Sequence, residues 1–463
     1  MERPNAWKTY DEKALCELEA ISKKYRVYLD LGKTERECVT ETVEIAEKAG
    51  YTNLNDAIKT GTPLKPGDKV YVNCMGKAIM LFHLGKKPLT EGINIVGAHI
   101  DSPRMDLKQN PFYEDSDFAY GDTHYYGGIK KYQWVARPLA LHGVVAKKDG
   151  TVVDVVIGED ENDPVIGLSD LLIHLSGEQM GKKASEVITG EGLDIILAGR
   201  PLVEEEEQKE PVKAMLLSIL KEKYDIEEED MLSAEIEVVP ADKARDFGLD
   251  RSMILGYGHD DRVCSFAALE AILSLPEVPE STCCCLLADK EEIGSVGATG
   301  MRAHYFENAM AELLNLTDSQ YSELNLRRAL AACRMLSCDV SAGFDPLFAS
   351  AFEKKNAAFL GRGVCYNKFT GSRGKSGSND ANAEFIGRLR KIMDDNAVCW
   401  QTAELGKVDV GGGGTIAYIC ALYGMEVIDS GVPVLSMHAP LEIISKADLY
   451  EAVKAYTAFM KEA

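Results

Sequence analysis

No stretch of the 463 residues reaches the ~18 consecutive apolar residues of a membrane-spanning helix, which argues against a membrane partner. Met1 to Tyr10 are polar and start no apolar signal segment, so the chain reads as cytoplasmic. Positive charge is scarce: 51 Lys and Arg against 74 Asp and Glu leave a net charge of −23. Phosphate repels such a surface, so nucleic acid is not expected as a partner. There is no Cys-x-x-Cys pair among the 12 cysteines. In the run Cys283-Cys284-Cys285 neighbours on a strand face opposite sides and cannot bridge, so buried, reduced thiols are expected. The four glycines Gly411–Gly414 lack the Gly-Lys-Ser/Thr ending of a phosphate loop. Internal repeats and long low-complexity tracts are also missing.

What is present is a soluble, two-domain amount of chain, 46% hydrophobic and 27% charged. Spacing predicts helices over 7–29 and 35–49. A hairpin follows, from Val70–Val72 and Ala78–Phe82 around the turn Asn73–Gly76. The buried run Ile93–Ala98 ends in His99-Ile100-Asp101. From about 105 to 245 the texture changes to short strand signals, including the hairpin Leu139–Val145 and Thr151–Ile157. That region also holds the apolar segment Leu171–Leu175 and the acidic stretches 204–207 and 227–230, read as solvated faces. A βα pattern then resumes, which predicts an α/β fold with an insertion: 1–104 and 246–463 as one domain, 105–245 inserted.

In the second part, Gly258-His259-Asp260-Asp261 leads into a helix over 263–275, with Asp261 its expected N-cap. The buried strand Thr282–Leu287 runs into Glu291-Glu292, and a helix is expected over 305–314. The strand Arg334–Ser341 carries Asp339 at its end. Residues 361–380, rich in Gly, Ser, Lys and Arg, read as a loop. Val432–Pro440 reads as a strand ending in His438. The last helix begins at Ser445, paired with Asp448 as a capping box.

Five strand ends or strand-to-helix junctions thus carry a potential ligand: His99, one aspartate of the 260–261 pair, Glu292, Asp339 and His438. Sites in open α/β sheets lie outside the carboxyl ends of the strands. Two histidines and three carboxylates suit two divalent ions, chiefly zinc, with one bridging carboxylate and a water between ions ~3.5–4 Å apart. A free glutamate beside a ligating one is what metal-assisted hydrolysis requires of its proton carrier. Asp101, two residues after His99, can fix the histidine tautomer.

The motifs Gly97-Ala98-His99-Ile100-Asp101-Ser102-Pro103, His259-Asp260-Asp261-Arg262, Asp289-Lys290-Glu291-Glu292-Ile293-Gly294-Ser295, Ser337-Cys338-Asp339 and Ser436-Met437-His438-Ala439-Pro440 occur in this order. Together they resemble the M18 metalloaminopeptidases, the aminopeptidase I and aspartyl aminopeptidase family, over nearly the whole chain. The resemblance implies a mixed-sheet, zinc-exopeptidase-like catalytic domain sandwiched by helices, with an inserted, mainly β oligomerisation domain. It implies that Asp260 bridges two zinc ions, with Mn or Co as alternatives. His99 and Asp339 complete one ion, Glu292 and His438 the other, and Glu291 is general base and then acid. The substrate implied is a peptide with a free amino terminus.

The same resemblance implies dimers assembled into a tetrahedral dodecamer, in which a histidine of the inserted domain reaches a neighbouring site. His174 is the nearest match here, with a third-histidine zinc ligand as its other reading. Two departures bear on specificity. Gly374–Asp380 replaces an Arg-Tyr pair of aspartyl aminopeptidases, and Asp170 stands where they carry another histidine. A broad or neutral preference is expected, with Lys368 and Lys375 as the remaining candidates for a positive substrate contact. Two other classes fit the same residues: an amidohydrolase or deacylase, and a shell protein that uses metal only to assemble.

Overall fold

The computed structural model describes residues 3–203, 209–318, 321–371 and 373–463; the acidic stretch 204–207 lies outside the described residues. The chain divides into two compact units, one of Met1–Ser102, Ala244–Met437 and Glu442–Ala463, the other of Pro103–Lys243 and His438–Leu441.

The first unit is built on a nine-stranded mixed sheet. Its order is Thr52–Asn53, Lys69–Cys74, Ala78–His83, Cys283–Ala288, Asn94–His99, Arg334–Cys338, Glu426–Gly431, Val364–Asn367 and Trp400–Thr402. Cys283–Ala288, Asn94–His99, Arg334–Cys338 and Glu426–Gly431 run parallel, so their carboxyl ends lie together. All six residues of Asn94–His99 and of Cys283–Ala288 are buried, as strands covered on both faces require. The period of two divides them between layers. Val96, Ala98, Cys283, Cys285 and Leu287 pack with helices His259–Leu273, Ala383–Asp395 and Lys446–Glu462. Ile95, Cys284, Leu286 and Ala288 pack with helices Tyr305–Thr317 and Glu323–Ala332. A five-stranded sheet, which includes Met253–Gly256 and Glu442–Ser445, completes this unit.

The second unit carries a six-stranded antiparallel sheet. The expected hairpin is there, as Leu139–Ala146 paired with Val152–Ile157. A helix, Pro211–Tyr224, also lies in this region, which the sequence marked mainly for strands. Pro211 opens it, and Val212, Leu216 and Leu220 recur every four residues on its buried side.

Other elements differ from their sequence signals for local reasons. The first long helix is Glu12–Leu31, because Asp11 accepts the Ala14 N–H at 2.8 Å and starts it there. Val364–Asn367 is a buried strand within the stretch read as a loop. Its four side chains fill core space, while the glycines around it dominate the composition. Ser445 does cap Lys446–Glu462, but Asp448 forms no capping box with it. The two oxygens of Asp448 instead accept the N–H groups of Gly361 and Gly363, each at 2.7 Å. The strand read over 432–440 stops at Leu435, and His438 follows in a turn with φ +63°.

Candidate metal centre

His99 ends its strand with both ring nitrogens engaged. Nδ1 lies 3.0 Å from the Asp101 carbonyl oxygen, which makes Nδ1–H the donor and turns Nε2 outward. Nε2 then lies 3.3 Å from Asp260 Oδ1 and 3.9 Å from Asp339 Oδ1. The ring is anchored from behind as well: Ser265 Oγ donates to His99 O at 2.7 Å, and Asp261 Oδ2 accepts the His99 N–H at 3.4 Å. Asp261 therefore serves the neighbouring strand rather than its own helix as a cap, and its backbone is non-helical. Asp260 is fixed at both backbone ends. Its N–H donates to Glu442 Oε2 at 3.0 Å and its carbonyl accepts from Ser102 Oγ at 2.7 Å.

The glutamate pair arrives differently from a simple strand end. The strand finishes at Ala288, Lys290 takes a left-handed φ of +65°, and Glu291–Ile293 form one 3-10 turn closed by Gly294. Adjacent side chains in such a turn do not point apart as they do on a strand. Asp101 sets this turn: Oδ1 accepts the Glu291 N–H at 3.1 Å and Oδ2 the Glu292 N–H at 3.2 Å. One carboxylate thus holds both glutamate amides beside the imidazole, whose Nδ1 is 3.4 Å from its Oδ1.

The result is two overlapping sets of ligand atoms within 4.8 Å of one another: His99 with Glu291 and Asp339, and His99 with Asp260 and Glu292. Of the expected residues the structure therefore brings together His99, Asp260, Glu291, Glu292 and Asp339, with Asp101 behind them. His438 is in neither set; it belongs to the second unit, where its Nδ1 lies 2.9 Å from Gly128 O. His174 is exposed on the loop that carries Leu172 and Ile173. Asp170, near it, accepts Leu171 N–H and Gln179 Nε2–H. Lys368 and Lys375 both engage Asp380, and Lys375 also lies 3.9 Å from the Phe369 ring centroid. The sequence left Ser265 and Glu442 unmarked, since nothing in their local pattern distinguishes them from core or loop residues.

Electrostatics follow from this crowding. Burial opposes charge on His99, but Asp101, Asp260 and Asp339 outweigh it and hold the imidazolium form well above the usual histidine range. Burial pushes Glu291 up to about 8, with Asp339 adding to the shift. Five N and O donors, four of them carboxylates packed around one imidazole, repel one another and are matched to a divalent cation. Zinc fits this donor set.

Comparison with known proteins agrees with this centre. Residues 28–460 match the model of the family described as aminopeptidase I zinc metalloprotease (M18). A probable M18 family aminopeptidase 1 of Clostridium acetobutylicum is 58% identical over 99% of this chain and 98% of its own. The counterpart of Thermotoga maritima is 46% identical over 100% and 99%. A crystal structure of the M18 aminopeptidase from Thermotoga maritima superposes with a TM-score of 0.95 at 45% identity, covering 100% of both chains. That of aminopeptidase I from Clostridium acetobutylicum gives 0.93 at 55%, covering 99% of both. The mApe1 dodecamer of S. cerevesiae shares the fold at a TM-score of 0.77 and 19% identity, over 95% of this chain and 96% of that one.

Proposed function

Because the chain belongs to the M18 family of aminopeptidase I zinc metalloproteases, and is thus a metalloaminopeptidase, we propose that it removes N-terminal residues from peptides at a two-zinc centre with Glu291 as the proton carrier. Asp260 would bridge the ions, with His99 and Asp339 on one and Glu292 on the other. His438 is proposed as the further ligand from its motif alone; its Nδ1–H donates to Gly128 O, which leaves Nε2 as the donor. The observation that carries this reading is that one residue, Asp101, holds the His99 ring through its carbonyl oxygen and both glutamate amides through its carboxylate.

Zinc bound here supplies Lewis acidity toward the scissile carbonyl and lowers the proton affinity of water. Glu291 takes the proton of the attacking water and returns it to the leaving amine. Its raised proton affinity suits the second step, and cations beside it favour the ionised form needed for the first. Lys368 and Lys375 remain the candidate positive contacts for substrate. Because Asp380 already neutralises both, a broad or neutral side-chain preference is the reading adopted.

Glu291→Gln is expected to keep its zinc yet lose at least ~100-fold in kcat, because a general base contributes about that much. Metal analysis and kinetics on the same preparation check this, and near-normal turnover would remove Glu291 from the mechanism. A free α-amine should be required: cleavage of N-acetylated substrates would favour the deacylase reading instead.

We further propose assembly through the second unit into dimers and a tetrahedral dodecamer, in which the exposed His174 meets a neighbouring centre. Cytoplasmic placement is proposed from the 12 free cysteines, nine of them buried. Among the described residues no helix is long and apolar enough to cross a membrane.

A further inference from the structure

Beneath the helix Ala383–Asp395 lies a cavity of about 270 Å³ that contains none of the residues of the metal centre. Its position follows from strand direction. Val364–Asn367 runs antiparallel to Glu426–Gly431, and Trp400–Thr402 runs parallel to Val364–Asn367. Asn367 pairs with Asp429 and Tyr366 with Thr402, so Lys368 and Glu404, which line the cavity, follow just past these pairs, near Ile428 and within the span of the sheet rather than at the strand ends that lead to His99 and Asp339.

The interior is apolar, with Tyr366, Leu389, Met393, Trp400 and Ile428 among its walls. The polar tips of the two aromatic residues are already satisfied. Tyr366 O–H donates to Met393 Sδ at 3.1 Å, and Trp400 Nε1–H to Asp394 Oδ1 at 2.9 Å. Trp400 also has the Arg3 guanidinium 3.7 Å from its ring centroid. What these rings offer an occupant is apolar area.

The lining also carries charge of both signs. Arg390 is exposed, Glu404 half-buried, and neither side chain has an ion pair or hydrogen bond among the described residues. The third charge, Lys368, is neutralised by Asp380. A guanidinium and a carboxylate that face one small apolar chamber without pairing match a ligand with a carboxylate, an ammonium and one apolar side chain. The volume is slightly below the roughly 300–1,000 Å³ of pockets for drug-sized ligands, which limits the occupant to something smaller.

We propose that this cavity is a binding site for a single free L-amino acid with an apolar side chain. The carboxylate would sit on Arg390, the ammonium on Glu404, and the side chain between Leu389, Met393 and Trp400. That this ligand is of the class the enzyme itself releases rests on the aminopeptidase reading; the site as such does not.

The test is calorimetric titration of L-leucine into the zinc-loaded enzyme and into its Arg390→Gln and Glu404→Gln variants, with kcat/KM measured in parallel. Product bound at the metal centre is common to all three proteins, so the difference isolates the cavity. The expected result is a leucine-binding event weakened at least tenfold in both variants, while kcat/KM at low substrate stays within twofold of the parent. L-Leucinol, which lacks the carboxylate and has no scissile amide, and N-acetyl-leucine, which lacks the ammonium, should fail to produce that event in the parent. Equal leucine binding by all three proteins would overturn the proposal, as would equal binding of leucine and its two blocked derivatives. Turnover is read separately, so loss of the aminopeptidase reading and loss of this site would be told apart.

Discussion

Asp101 does more than its place in a His-x-Asp motif suggests. The spacing foretells support for the His99 ring; in the structure Nδ1 lies 3.0 Å from the Asp101 carbonyl oxygen and 3.4 Å from its Oδ1. The spacing gives no hint of the two amides of Glu291 and Glu292, which come from 190 residues further along the chain. Asp101→Ala should therefore release both glutamate amides and remove the carboxylate beside the imidazole, while the carbonyl bond to Nδ1–H stays. Supporting residues of this kind cost about 10–100-fold in metal affinity when removed. Zinc titration against a competing chelator should show a loss of that size or greater, and an unchanged affinity would confine Asp101 to packing. Of the proposed ligands, His99 and Asp339 were legible because each closes a buried apolar run. Their buried supports, Ser265 and Glu442, were not, because hydrogen bonds across long sequence separations leave no periodic trace.

At the level of elements, the segment of four glycines is tied to the sheet by one bond. Thr415 Oγ1 donates to Asp429 Oδ1 at 2.6 Å, and Asp429 is buried within Glu426–Gly431. Burial, with Asp339 adding to it, pushes the Asp429 carboxyl up to about 7. The folded state then holds this proton more tightly than the unfolded chain does. The stability it contributes is complete below about pH 4 and is lost as pH rises toward 7. Asp429→Asn keeps an acceptor for Thr415 but has no proton to lose. From pH 4.5 to 7.5 the variant should gain on the parent by on the order of 1–3 kcal/mol in denaturant unfolding, and parallel pH profiles would refute the account. Non-local partners of this kind also explain the misread elements. Asp448 was expected to cap its own helix, but the loop at Gly361 and Gly363 claims it. Val364–Asn367 is a strand because core space is available to it, although its surroundings are those of a loop.

For the whole molecule, the apolar layers on the two faces of the nine-stranded sheet contain none of the proposed ligands. Folding and metal loading should then be separable. Chelation is expected to abolish peptide cleavage, zinc to restore it, and far-ultraviolet circular dichroism and sedimentation to change little between the two states. An assembly that falls apart on chelation would revive the reading of metal as a structural clamp. The α/β class could be read from the alternation of buried strands and amphipathic helices. The helix Pro211–Tyr224 could not, because a single helical stripe among many short strand signals does not stand out.

The three adjacent cysteines give the sheet an internal clock. Cys283 and Cys285 lie in one layer and Cys284 in the other, all with essentially no exposed surface, and burial raises the proton affinity of each thiol. An alkylating reagent meets them only after the central strand has left its neighbours. The pace at which these sulfurs become labelled in native buffer therefore times the rare opening of the molecule's middle, on both sides in a single event.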